Sequence, residues 1–402
     1  MPATITKAAT LILAMGLASA THAASAALPD NQTLRLCLAS GAASPDFSGV
    51  IAISRAGEPV TYSQGQTAEP GSAAIAADQQ FNLGSAGKMF TAVAIAQLVD
   101  AGKIALDDPI GRHLDGLAPA TAAVPVRQLL THSGGLGNFF TPDNLAAMQK
   151  ARQLSDLKPL IADEKPAFVP GSRFEYSNSG FLLLGLLIEK LSGQSYGDYL
   201  QARIFGPAGM TSSSLIPAAA PKRAIGMTTM PEMPPMAGPG MPPPGGPGGP
   251  GGMGPPPAGF RPPAGPLRPA AEAALIGTSA GGSYSTAADM QRFFAALLAG
   301  KLTSAASRDG LLSPQITVIP AKDGMPARSH GLGIGLGMAF GHPWVGHNGG
   351  TLGVNVETMA FPDDQTTIIV LANRDPPVAG IVTRNVQAML FDGESCKAKT
   401  GG

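Results

Sequence analysis

Charge is scarce in this chain. Only 13% of its 402 residues are Asp, Glu, Lys or Arg, about half the usual share, and the formal net charge is zero. Without a basic excess to neutralise phosphates, nucleic acid is excluded as a partner. No acidic tail is present either. Metal signatures are missing: there is no H-E-x-x-H and no paired C-x-x-C. The six histidines, at 22, 113, 132, 330, 342 and 347, include no i, i+4 pair. P-loop and dinucleotide fingerprints are absent as well, so no metal and no cofactor is expected. Beyond the first residues no run of about 18 apolar residues occurs, so the mature chain is not expected to span a membrane. Cysteine occurs only twice, at Cys37 and Cys396.

Residues 1–26 read as a secretory signal. Lys7 is the only early charge, a short apolar stretch covers 8–20, and small residues follow, with cleavage expected after Ala23 or Ala26. Export implies an oxidising compartment, where Cys37 and Cys396 either form a bridge tying the two chain ends together or stay two independent thiols.

Composition breaks between 231 and 270, where 31 of 40 residues are Pro, Gly or Met. No packed core can form from such a segment, which reads as a disordered insert leaning to polyproline II. Met227, Met230, Met233 and Met236 recur every third residue. On a polyproline II helix their thioethers would share one side, and soft thioethers suit Cu(I). The plainer reading is a Met-rich linker.

Elsewhere the pattern is globular. Residues 47–54 and 59–64 read as a β-hairpin across Gly57-Glu58. Helical spacing follows over 86–101, 126–131, 179–191 and 196–205. After the insert come a helix over 286–299, extended segments over 331–340, 344–347, 354–361 and 366–372, and a closing helix over 381–391. Strands thus lie at both ends and helices in the middle. That order predicts an α+β fold: an antiparallel sheet assembled from 27–84 and 271–402, flanked by helices, with a helical domain over 85–230 inserted.

Three short motifs carry chemistry. Ser85 and Lys88 stand three apart at a helix start, so their side chains share a face within one turn. A serine with a lysine over it is an activated-nucleophile arrangement, although the ordinary role of such a serine is a helix cap. Tyr176-Ser177-Asn178 follows the turn Pro170-Gly171 and precedes an apolar helix. His347-Asn348-Gly349-Gly350 lies between extended segments, where glycines let a ligand approach the backbone closely. A competing signal is Gly277-Thr278-Ser279-Ala280-Gly281, which fits G-x-S-x-G. That elbow needs a strong strand before it and a helix directly after it. Ala-rich residues precede it and Gly282-Ser283-Tyr284 follow, so a loop serving another site is expected.

Taken in this order and spacing, Ser85-Ala86-Gly87-Lys88, Tyr176-Ser177-Asn178 and His347-Asn348-Gly349 resemble the serine hydrolases related to class C β-lactamases. That group includes D-Ala-D-Ala carboxypeptidases, D-aminopeptidases and β-lactamase-like esterases. Leu129-Leu130-Thr131-His132-Ser133-Gly134-Gly135-Leu136, Ser279-Ala280-Gly281-Gly282 and the run 346–353 are similar too, and the resemblance extends from 47 to 391 outside the insert. It implies a β-lactamase/penicillin-binding-protein-like fold and an acyl-enzyme on Ser85, with a small ester, peptide or β-lactam as substrate. Lys88 and Tyr176 would manage the serine proton, and which of them is the base stays open. Asn178, His347, Asn348 and Gly349 would orient the substrate, and the N–H groups of Ser85 and Gly350 would form the oxyanion hole. Many relatives have Lys-Thr-Gly at the third motif. A histidine there is mostly neutral at pH 7 and holds a substrate carboxylate less firmly, which tilts the expectation toward esters or amides. Cell-wall peptides or β-lactams are the alternative substrates, and a catalytically silent cell-wall binder is the non-enzymatic one.

Overall fold

The structure is a computed structural model and describes residues 31–39, 46–230, 265–270, 277–322 and 324–392. The expected leader 1–26, Cys396 and most of the Pro/Gly/Met-rich segment lie outside the described residues.

The organising element is an eight-stranded sheet. Its strands are β1 Gly49–Arg55, β2 Glu58–Gln64, β3 Ile316–Ile319, β4 Arg328–His330, β5 Gly335–Ala339, β6 His342–Thr351, β7 Val354–Phe361 and β8 Thr366–Ala372. Their order is β2-β1-β8-β7-β6-β5-β4-β3, and every neighbouring pair is antiparallel. The N-terminal hairpin therefore docks on the last strand: β1 pairs with β8, Ile51 opposite Val370. The sheet assembled from both chain ends is the expected fold.

Both faces of the central strands are buried, so β1 and β8 read as continuous apolar runs. On one face Ile51, Ile53, Ile368 and Val370 pack with two helices, α1 Asn31–Cys37 and α5 Val378–Phe391, through Leu34, Val382, Val386 and Met389. On the other face Val50, Ala52, Ile369 and Leu371 join a larger core. There α2 Lys88–Asp100, α3 Asn178–Ser192 and α4 Ala287–Leu298 converge. Nearly all sides of α2 are buried. Phe90 sits between Phe205 and Phe293 in edge-to-face contacts, with centroids at 5.1 and 5.0 Å. Burying such a ring contributes about 1.5–3 kcal/mol. Among the described residues no helix is long and apolar enough to cross a membrane.

Three expectations need correcting. First, the strand foreseen over 344–347 runs on to Thr351. Gly349 and Gly350 pair with Val356 and Asn355, so they extend the ladder instead of turning. Second, residues 265–270 are not loose. Arg268–Pro269 pairs antiparallel with Met227–Thr228, because the returning chain finds backbone partners beside the segment it left. Third, Met227 is fully buried in that strand and so is absent from any exposed thioether strip; Met233 and Met236 lie outside the described residues. Cys37 is buried and disulfide-bonded.

Candidate active site

Ser85 is held by a short chain of local contacts. Asn82 Oδ1 accepts the Gly84 N–H at 2.8 Å, folding the turn after the Phe81–Asn82 bridge strand. Gly84 then takes φ +50°, a left-handed conformation that suits glycine. Residues Gly84–Gly87 form a 3-10 turn that leads straight into α2. Ser85 is half-buried, so it remains reachable from solvent.

One turn on, Lys88 is fully buried. Its Nζ lies 3.3 Å from Ser85 Oγ and 2.7 Å from Asn178 Oδ1, and it also donates to the Ala280 carbonyl. Burial drives its pKa well below the ordinary lysine value, because a desolvated ammonium is costly. Ala280 belongs to the G-x-S-x-G segment. That segment is no elbow: Ser279 is fully buried, and Thr278 and Gly281 close a tight bridge. It works through its backbone, Ala280 O taking Lys88 and Ser279 O taking the Thr91 hydroxyl at 2.8 Å.

Asn178 is set by a cap. Ser177 N-caps α3, its Oγ accepting the Gly180 N–H at 2.9 Å. Asn178 Nδ2 donates to Asn138 Oδ1 at 2.8 Å, which points its Oδ1 toward Lys88. Tyr176 precedes the cap. Its ring is partly exposed, but its hydroxyl is buried and makes no complete hydrogen bond. Burial pushes the phenol pKa up, and the nearby Ser85 hydroxyl only partly opposes this. Lys88 Nζ lies 4.8 Å from the centre of the Tyr176 ring.

The third motif closes the site from the sheet. A Cβ built on Gly349 would meet Leu83 O at 2.1 Å and Ser85 N at 2.9 Å, and one on Gly84 would meet Gly350 N at 3.1 Å. Two backbones therefore touch here, and only glycine permits it. Gly349→Ala is expected to push β6 off the serine turn and lower kcat/KM by about 100-fold; kinetics on a purified, folded variant checks this. His347 is buried, with its Nδ1 against the Asn348 carbonyl. Desolvation, reinforced by Lys88, takes its pKa down to about 4, so it is neutral at pH 7.

Asn348 departs from expectation. Successive residues of a strand face opposite sides. Its amide reaches the Glu357 carboxylate, which lies near Gly380 of α5 on the far face. Asn348 therefore orients no substrate through its side chain.

Two histidines were not foreseen as site neighbours. His132, fully buried, stacks on Tyr176 (centroids 4.3 Å) and on Phe181 (4.8 Å), and its Nδ1 accepts the Ser177 N–H at 3.0 Å. His330, also fully buried, lies edge-on to His132 and His347. The sequence carries no metal motif, yet in space one ring nitrogen from each of His132, His330 and His347 lies within 4.8 Å of the others. No sequence spacing could show this, since the three come from a loop and two different strands.

Comparison with known proteins agrees with this geometry. The Beta-lactamase family profile matches residues 35–390. Penicillin-binding protein 4 of Amycolatopsis lactamdurans is 32% identical over 164 residues, 40% of this chain and 42% of that protein. The aligned region is thus under half the length of that relative. A penicillin-binding protein from Bacillus halodurans superposes with a TM-score of 0.70 at 26% identity, covering 90% of this chain and all of that one. A D-stereospecific amidohydrolase from Streptomyces sp. superposes with a TM-score of 0.69 at 23% identity over 91% and 99% of the two chains, a likeness of fold. With the profile spanning residues 35–390 and the fold shared over 90% of the chain, this chain belongs to the Beta-lactamase family of serine hydrolases.

Proposed function

We propose that this chain is an exported serine hydrolase that cleaves an ester or amide through an acyl-enzyme on Ser85, and that it favours substrates without a free carboxylate. The observation carrying the reading is the buried Lys88 amine, 3.3 Å from a reachable Ser85 hydroxyl. As a neutral amine it donates its two protons to Asn178 Oδ1 and Ala280 O. Its lone pair is left for the Ser85 O–H, so Lys88 is the base. Tyr176 rests as a neutral phenol; as its buried hydroxyl hands a proton to the leaving group, the Lys88 ammonium gives up the serine proton to restore it, so both end as they began. The N–H groups of Ser85 and Gly350 receive the oxyanion. Asn178 and the backbone around Gly349 orient the scissile group. The leader pattern at 1–26 and the disulfide at Cys37 support export.

The substrate preference rests on charge. His347 stands where many relatives have lysine and is neutral. The nearby Arg328 is drawn to Glu357 and lies 5.4 Å from the Trp344 ring centre, and its charge reaches His347 only as a minor influence behind burial and Lys88. Hydrolysis of p-nitrophenyl butyrate is therefore expected to exceed nitrocefin turnover. Efficient nitrocefin hydrolysis without ester activity would reverse the reading. His347→Lys is expected to shift the nitrocefin-to-ester ratio by about tenfold toward nitrocefin, the effect of one charge-assisted hydrogen bond. A second reading, action on cell-wall peptides or β-lactams, is favoured by the Amycolatopsis penicillin-binding relative. The same substrate comparison separates the two.

A further inference from the structure

We propose that His132, His330 and His347 form a binding site for a borderline divalent transition-metal ion, Zn2+ above all, and that its occupancy inhibits the neighbouring Ser85–Lys88 pair.

The argument begins with unmet hydrogen bonding. All three rings are buried. His132 Nε2, His347 Nε2 and both nitrogens of His330 have no hydrogen-bond partner. Four such atoms gathered in one place are unusual in a folded interior, where buried polar groups nearly always find partners. A cation that accepts imidazole lone pairs satisfies three of them at once. Aromatic rings and two basic side chains, Lys88 and Arg328, surround the cluster: Phe174 and His330 lie 5.6 Å apart, and Phe181 and Tyr176 flank His132.

Geometry permits closure. Nitrogens at most 4.8 Å apart lie within about 2.8 Å of a common centre, against zinc–nitrogen bonds of about 2.0–2.1 Å. An inward movement of about 0.7 Å per ring completes the set. His347 has the hydrogen bond that ligating histidines make, Nδ1–H donated to the Asn348 carbonyl, which leaves the unpartnered Nε2 as its ligand atom. His330 can offer either nitrogen. His132 is the costly member. Its Nδ1 accepts the Ser177 N–H, so its proton sits on Nε2. On binding, the metal takes the Nε2 lone pair, the proton moves to Nδ1, and Ser177 N–H loses its acceptor. This makes the site a regulatory one of modest affinity, and it couples the metal to the Tyr176-Ser177-Asn178 turn. Three imidazoles without carboxylate or thiolate suit Zn2+, Cu2+ or Ni2+ and not Mg2+ or Ca2+.

Inhibition follows from charge. Lys88 Nζ lies 4.8 Å from the centre of the Tyr176 ring, on which His132 stacks with centroids 4.3 Å apart, so one aromatic ring separates the amine from the cluster. A dication among them disfavours the ammonium that Lys88 must become when it takes the serine proton.

The test titrates the purified full chain with Co2+ as a spectroscopic stand-in and with Zn2+ by calorimetry, alongside ester turnover. Expected are d–d bands of a low-coordinate Co2+ site, one Zn2+ per chain, and a parallel loss of turnover, with Mg2+ inert. His330→Phe and His330→Leu, either of which suffices, should lose the bands and the stoichiometric Zn2+ binding. Absence of Co2+ bands in the wild type overturns the proposal. So does Zn2+ binding of equal strength in the wild type and a folded His330 variant.

Discussion

Lys88→Met is expected to lower kcat/KM for p-nitrophenyl butyrate by about 1,000-fold, within the range a general base contributes. Methionine keeps the length and apolar stem of the lysine in its buried slot, so far-UV circular dichroism should be unchanged. Tyr176→Phe should cost far less, about 10–100-fold, because it removes a proton donor and leaves the base in place. The pH profile makes the same distinction. Lys88 acts only when neutral, and burial lowers its pKa well below the ordinary value. Activity should therefore rise as pH climbs through that lowered pKa and level off below the ordinary lysine range. Were the Tyr176 phenolate the base, its upward shift would carry the rise far into alkali. A wild-type profile still climbing above pH 10 would assign the base to Tyr176.

Ser85→Ala is the second large effect. Removing Oγ takes away the hydroxyl that forms the acyl bond in this account, so kcat should fall by about 10,000-fold or more. The stability cost should be small, about 1 kcal/mol, since one hydrogen bond to Lys88 is lost and Ser85 is only half-buried. A folded Ser85→Ala protein that keeps ester turnover within tenfold of the wild type would move the chemistry to another residue.

Much of this was legible in the chain. Strands β7 and β8 run over the same 354–361 and 366–372 expected for them, since their apolar and β-branched residues are bounded by the sharply polar Pro362-Asp363-Asp364-Gln365 turn. Ser85 and Lys88 were visible because their relation is local, one helical turn. Tyr176 and Asn178 needed the cap at Ser177, which fixes their direction and which the sequence, read as a loop before an apolar helix, did not reveal.

What was hidden depends on pairing at a distance. Asn348 looked like its neighbours until the register of β6 against β7 turned its side chain to Glu357. The contribution of Ala280 is a backbone carbonyl, and a carbonyl has no residue signature. His132, His330 and His347 meet only because a loop beside α3 packs against β4 and β6. The segment 265–270 looked like linker by composition, yet its backbone closes on Met227–Thr228. In each case the deciding partner lies far off in sequence, beyond the reach of periodicity.

The account stands or falls on one covalent bond. Incubation with a fluorophosphonate probe, followed by intact mass and peptide mapping, should show a single adduct on Ser85 that is absent from Ser85→Ala. An adduct on Ser279 in its place, or no adduct on the folded wild-type protein with any acylating or phosphonylating probe, would contradict it.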